Sequence, residues 1–81
     1  MTPLTRLLCA IDELGDLSNH DVRLVLRRTY FDSHGRGAYV AEVSGYEPRI
    51  SVSSTSPDAA VEALSVEVEA RCEGIKRMVG R

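Results

Sequence analysis

Asp32, Ser33 and His34 are the three residue types of a hydrolase triad. A triad works because a nucleophile, a base and an orienting carboxylate converge on one reacting atom, and distant segments of chain supply them. Three neighbours within one turn do not converge in that way, and their side chains read as turn chemistry that bonds the local backbone. The next residues, His34-Gly35-Arg36-Gly37, carry the glycines of a phosphate cradle but lead into a strand, whereas a cradle needs the N–H groups of a helix start. His20, His34, Cys9 and Cys72 are zinc-ligand types, yet no two of them have the close spacing of a structural site. Glu62, Glu67, Glu69 and Glu73 recur along a predicted helix and read as its solvated face, because paired catalytic carboxylates need a cleft. The expectation is a protein without catalytic residues, metal or cofactor.

The elements that must position any site are well marked. From Ser56 to Val79 the apolar residues Val61, Leu64, Val68, Cys72, Ile75 and Val79 recur in steps of 3, 4, 4, 3 and 4, the stripe of a one-sided helix. Ser56 is placed to cap it, Pro57 fits its first position, and Asp58 complements the positive end. Lys76 and Arg77 suit the negative end and Gly80 the stop. Ser65-Val66-Glu67-Val68-Glu69 alternates like a strand, but the helical period wins over the whole window. An earlier helix is predicted from about Pro3 to Leu14, capped by Thr2, with Leu4, Leu7, Leu8, Ile11 and Leu14 on one face and Gly15 as the stop.

Between the helices the period falls to two. Val22 to Phe31 alternates Leu24 and Leu26 against Arg23, Val25 and Arg27, a turn spans Asp32 to Gly37, and Ala38 to Gly45 forms a second strand. A short third strand follows from Arg49 to Ser53. Pairing Asp32 with Gly37 sets Leu26 opposite Val43, Arg28 opposite Ala41, Tyr30 opposite Tyr39, and Arg27 opposite Glu42. Gly45 and Pro48 flanking the second turn set Val43 opposite Ile50 and Ala41 opposite Val52. Both hairpins then place Leu24, Leu26, Tyr39, Val43, Ile50 and Val52 on one face, with Arg28 as a misfit for a sheet margin or a bulge. The predicted fold class is α+β, one domain over residues 1–81: a two-layer sandwich in α-β-β-β-α order, a three-stranded antiparallel meander with two helices on one face.

At 81 residues with no Trp and one Phe, the chain has a small core, which makes self-association, a homodimer, a reasonable expectation. Its net charge of −2, with both signs interspersed, gives no basic field to draw nucleic acid or anionic lipid. Cys9 and Cys72 read as reduced thiols of a cytoplasmic protein. Arg6, Asp12, Glu13 and Asp16 interrupt the first apolar run, so it is too charged to span a membrane or to act as a signal peptide.

Two resemblances bear on function. The element order resembles that of the double-stranded-RNA-binding domain, whose second helix begins with a phosphate-gripping Lys cluster; here Ser56-Pro57-Asp58-Ala59-Ala60 has no positive charge. Gly37-Ala38-Tyr39-Val40-Ala41-Glu42-Val43, then Pro48, then Thr55-Ser56-Pro57-Asp58-Ala59-Ala60-Val61-Glu62-Ala63 resembles the N-terminal domain of HicB-type antitoxins, over less than half of the chain. That family's Pro-Gly-Cys after the second strand is missing, and an extra helix precedes the first strand. The resemblance implies a small partner-binding module that masks another protein, not one that binds an operator.

The sequence therefore points to a small non-catalytic interaction protein that binds a protein partner or assembles with itself, as an antitoxin-like protein or regulatory inhibitor would. The helices are expected to spend their apolar faces on the inner side of the sheet. The outer side is then left for contact, with Val25, Phe31 and Val40 set among Arg23, Arg27 and Arg49, a mixture that suits an interface. The alternative, an RNA- or DNA-binding module, would use the same arginines, but Glu42 partly neutralises them.

Overall fold

The computed structural model describes residues 2–30 and 37–79. Its order is α1 (Pro3–Ser18), β1 (Arg23–Tyr30), β2 (Gly37–Ser44), β3 (Ile50–Ser54) and α2 (Pro57–Val79). The strands form one antiparallel sheet in the order β1-β2-β3, so the meander and the α+β class are as expected. Both helices pack on one face of it, α2 on β2 and β3 and α1 on α2 and the margin of β1.

The helix starts follow the local chemistry. Thr2 caps α1, its Oγ1 accepting from the Thr5 N–H at 3.2 Å, and Ser56 Oγ accepts from the Ala59 N–H at 3.3 Å at the head of α2. The end of α1 differs from expectation: Gly15 does not stop the helix, which runs on to Ser18 and is closed by Asn19 in the left-handed region at φ 57°. Continuing the helix carries Leu17 onto the core. Gly15 serves another purpose, because a Cβ there would lie 3.2 Å from Val22 Cγ2 and 3.3 Å from the His20 carbonyl. It is a close-approach position, where the chain leaving the helix folds back against it.

The two helices lie parallel. Arg6 bonds Glu69, Cys72 Sγ lies 3.7 Å from the Ala10 carbonyl, and Glu13 pairs with Lys76, so both chains advance in the same direction. Between them and the sheet sits the core, with Leu7, Leu14, Val43, Leu64 and Val68 fully buried. Val61, Leu64, Val68 and Cys72 of the α2 stripe are buried and Ile75 packs against them. The strand-like Ser65 to Glu69 segment is helical, with the buried Ser65 hydroxyl donating to the Val61 carbonyl at 3.0 Å. The stripe does not hold to its end, since Met78 and Val79 are 78% and 74% exposed, beyond the reach of the core.

The second hairpin has the expected register, Val43 opposite Ile50 and Ala41 opposite Val52. The first is shifted by two residues: Leu24 faces Val43, Leu26 faces Ala41, Arg28 faces Tyr39, and Arg27 faces Val40 instead of Glu42. A slip of two leaves every side chain on its original face, so the apolar pattern agrees with either register and does not select between them. Arg28 needs no bulge, because the pairing runs unbroken from Arg23 to Tyr30 and places it near the end of an edge strand.

Candidate interaction surface

Outside the helix layer the sheet presents its outer face and two edges, β1 and β3, of which β3 is flanked by α2 and β1 is not. On the outer face, Arg23, Arg27 and Arg49 are exposed and Val25 is half-buried. Glu42 sits between them, its side chain mostly covered. Arg27 Nε lies 3.4 Å from Glu42 Oε1 and Arg49 Nη1 lies 3.8 Å from Glu42 Oε2. The Arg27–Glu42 pair thus survives the shifted register as a diagonal contact, with Val25 directly opposite Glu42. Val40, expected to offer an exposed apolar contact, is only 7% exposed. It stands on the central strand with Arg27 opposite on one side and Ser53 on the other, and the flanked position leaves little of its surface. Phe31, the Asp32-Ser33-His34 segment and Gly35-Arg36 lie outside the described residues, while Gly37 is the first residue of β2.

The inner face holds the residue that sequence reasoning misplaced. Leu26 has the parity of a core residue but is 53% exposed. Its neighbour Leu24 packs against the core, as do Tyr39 and Val52, so the helix layer covers β1 at one end only. Beside Leu26 lies an apolar cavity of about 250 Å³ walled by Arg28, Tyr39, Pro57, Ala60 and Val61. On α1, Leu4 and Leu8 are 44% and 45% exposed. The helical period sets them on the flank away from Arg6 and Glu13, the residues that bond α2, and therefore on the β1 side. Nothing in the apolar pattern distinguishes Leu4, Leu8 and Leu26 from the covered leucines; only the lateral placement of the helices does.

Several polar groups elsewhere tie α1 to α2. Arg6 donates to both Glu69 oxygens at 2.9 and 2.6 Å, and this hydrogen bonding holds the Glu69 carboxyl below its ordinary pKa. Lys76 binds Glu13 and, at 3.6 Å, Glu73, and its ammonium is raised chiefly by the hydrogen bond to Glu13. Burial pushes the Cys72 thiol up, while Cys9 is exposed. A cavity of about 490 Å³ at the end of α1 is lined by Asp12, Asp16, His20 and Asp21, among others. His20 is held there by Nδ1 at 2.7 Å from the Ser18 carbonyl, with its ring edge-on to Tyr46. Among the described residues no group of three His, Cys, Asp or Glu side chains is arranged to hold a metal ion, and no helix is long and apolar enough to cross a membrane.

No family model, curated protein or solved structure matches this chain.

Proposed function

We propose that this chain is a small, non-catalytic, cytoplasmic interaction protein that binds a protein partner through its sheet, acting as an antitoxin-like protein or regulatory inhibitor. The observation that carries the reading is the one-sided helix layer: Arg23, Val25, Arg27 and Arg49 stand on a sheet face to which neither helix is committed. Arginine beside a half-buried apolar residue is a composition found at protein interfaces. The local resemblance to the HicB-type N-terminal domain supports a masking role.

The test is affinity capture from an extract of the native cell after nuclease treatment, read by mass spectrometry. A discrete protein retained at high salt by the wild type, and lost by Val25→Asp or by Arg27→Ala combined with Arg49→Ala, is the expected result. Retention of nucleic acid alone, with a steep salt dependence that falls on replacing Arg23, Arg27 and Arg49, would favour the alternative RNA- or DNA-binding role. Homodimer formation is a second reading, motivated by Met78 and Val79 at the exposed end of α2. Sedimentation equilibrium finding only the 8.9 kDa species at high protein concentration would remove it.

A further inference from the structure

We infer that the edge of β1 is the place of a missing fourth strand, filled by an extended acidic segment of a partner protein. This deepens the protein-binding reading above and rests on it.

The first ground is the width of the two layers. Two helices side by side are about 20 Å across, while strands repeat every 4.8 Å or so, making about 14 Å for three and about 19 Å for four. The helix layer here is therefore one strand wider than the sheet beneath it. The excess lies on the β1 side, because α2 occupies β2 and β3 while α1 meets the sheet only at the margin. Leu4 and Leu8 on the outer flank of α1, and Leu26 on β1, are the apolar groups left uncovered along that side. A strand added beside β1 would bring its inward side chains under Leu4 and Leu8 and next to Leu26. Its backbone would meet the row of N–H and C=O groups that, among the described residues, no strand pairs.

The second ground is charge. β1 carries Arg23, Arg27 and Arg28 and no acidic residue, in a chain that is net negative. Asp12, Asp16 and Asp21 line a cavity together with Val22, just before the start of β1, while on the outer face Arg23, Arg27 and Arg49 outnumber the Glu42 carboxylate that Arg27 and Arg49 share. An incoming strand is thus expected to alternate apolar residues inward with carboxylates outward, beside Arg27. A second copy of this chain fits less well. Antiparallel self-pairing of β1 brings Arg23 and Arg27 of both copies onto adjacent strands of one face. Six strands would also be about 29 Å wide against about 40 Å for four helices, so the two overhanging α1 helices would meet before the edges did.

The probe is an acetylated, amidated peptide, Glu-Val-Glu-Leu-Glu-Val-Glu, titrated into the isotopically labelled whole chain and followed by backbone NMR and amide hydrogen exchange. The expected result is saturable binding below about 100 µM, protection of alternate β1 amides, and shifts at Leu4, Leu8 and Leu26. The lysine counterpart, Lys-Val-Lys-Leu-Lys-Val-Lys, should not bind. Leu26→Asp and Arg27→Glu should each weaken binding at least about tenfold, and unchanged spectra away from the edge would show that these variants fold. Absence of binding at about 1 mM, or equal binding of both peptides, would overturn the inference. Protection of β1 by self-association without peptide would overturn it in favour of a second copy. Partner capture lost with Arg27→Ala/Arg49→Ala but intact with Leu26→Asp would overturn the edge site while leaving the protein-binding reading standing. Capture of nucleic acid alone would overturn that reading itself.

Discussion

Replacing glycine by alanine is expected to have opposite effects at Gly45 and Gly74, and the pair tests the packing of the whole molecule. Gly45 has φ of +90°, and a Cβ built on it would lie 2.4 Å from the Asp21 carbonyl oxygen, a backbone atom that cannot swing aside. The left-handed conformation alone costs a side-chain-bearing residue roughly 1–2 kcal/mol, and relieving the overlap would separate the β2–β3 turn from the segment that leads into β1. The total loss is expected to be at least about 2 kcal/mol, or about 8 °C or more in melting temperature for a domain of this size. Gly74 lies inside α2, and a Cβ there meets nothing within 4 Å. Alanine at that position removes the helix penalty of glycine and should stabilise by up to about 1 kcal/mol, a rise of about 4–8 °C. Thermal unfolding followed by circular dichroism at 222 nm reads both. A Gly45→Ala protein that melts at or above the wild-type temperature would refute the placement of the turn against Asp21, and a destabilised Gly74→Ala would refute the open flank of α2.

Glu69 should titrate below the ordinary glutamate range, and Arg6→Ala should return it there, as followed by side-chain NMR. Because its folded pKa is depressed, its contribution to stability is present above the unfolded pKa and is lost as pH falls through the folded one. That contribution should be small and salt-sensitive, since both side chains are more than 40% exposed. Cys9 should react rapidly with a thiol reagent in the native protein, whereas Cys72, buried and with its thiol raised in pKa, should react only after unfolding.

Periodicity carried most of this fold. The 3.6-residue stripes and the N-caps Thr2 and Ser56 located both helices, and the two-residue alternation assigned the described strand residues to their faces. What it could not carry was anything invariant to an even shift or dependent on lateral position. The first hairpin slipped by two because Leu24 and Leu26 are interchangeable opposite Val43 as far as polarity goes. Gly15 read as a stop because its role, admitting Val22, depends on a contact made after the chain turns back. The candidate surface was legible only in part. Arg23, Arg27 and Arg49 were located by parity, but the burial of Val40 follows from its flanking strands. The exposure of Leu26 follows from where α1 comes to rest, and comparing the widths of two helices and three strands would have been the only signal for it.

The central claim is that a partner protein joins the sheet, and it is tested most directly by amide hydrogen exchange of the whole chain with and without the captured protein. Slowed exchange along β1, at alternate amides from Arg23 to Tyr30, with α2 unchanged, is the predicted result. Protection confined to α2, or no change in the sheet at saturating partner, would contradict it.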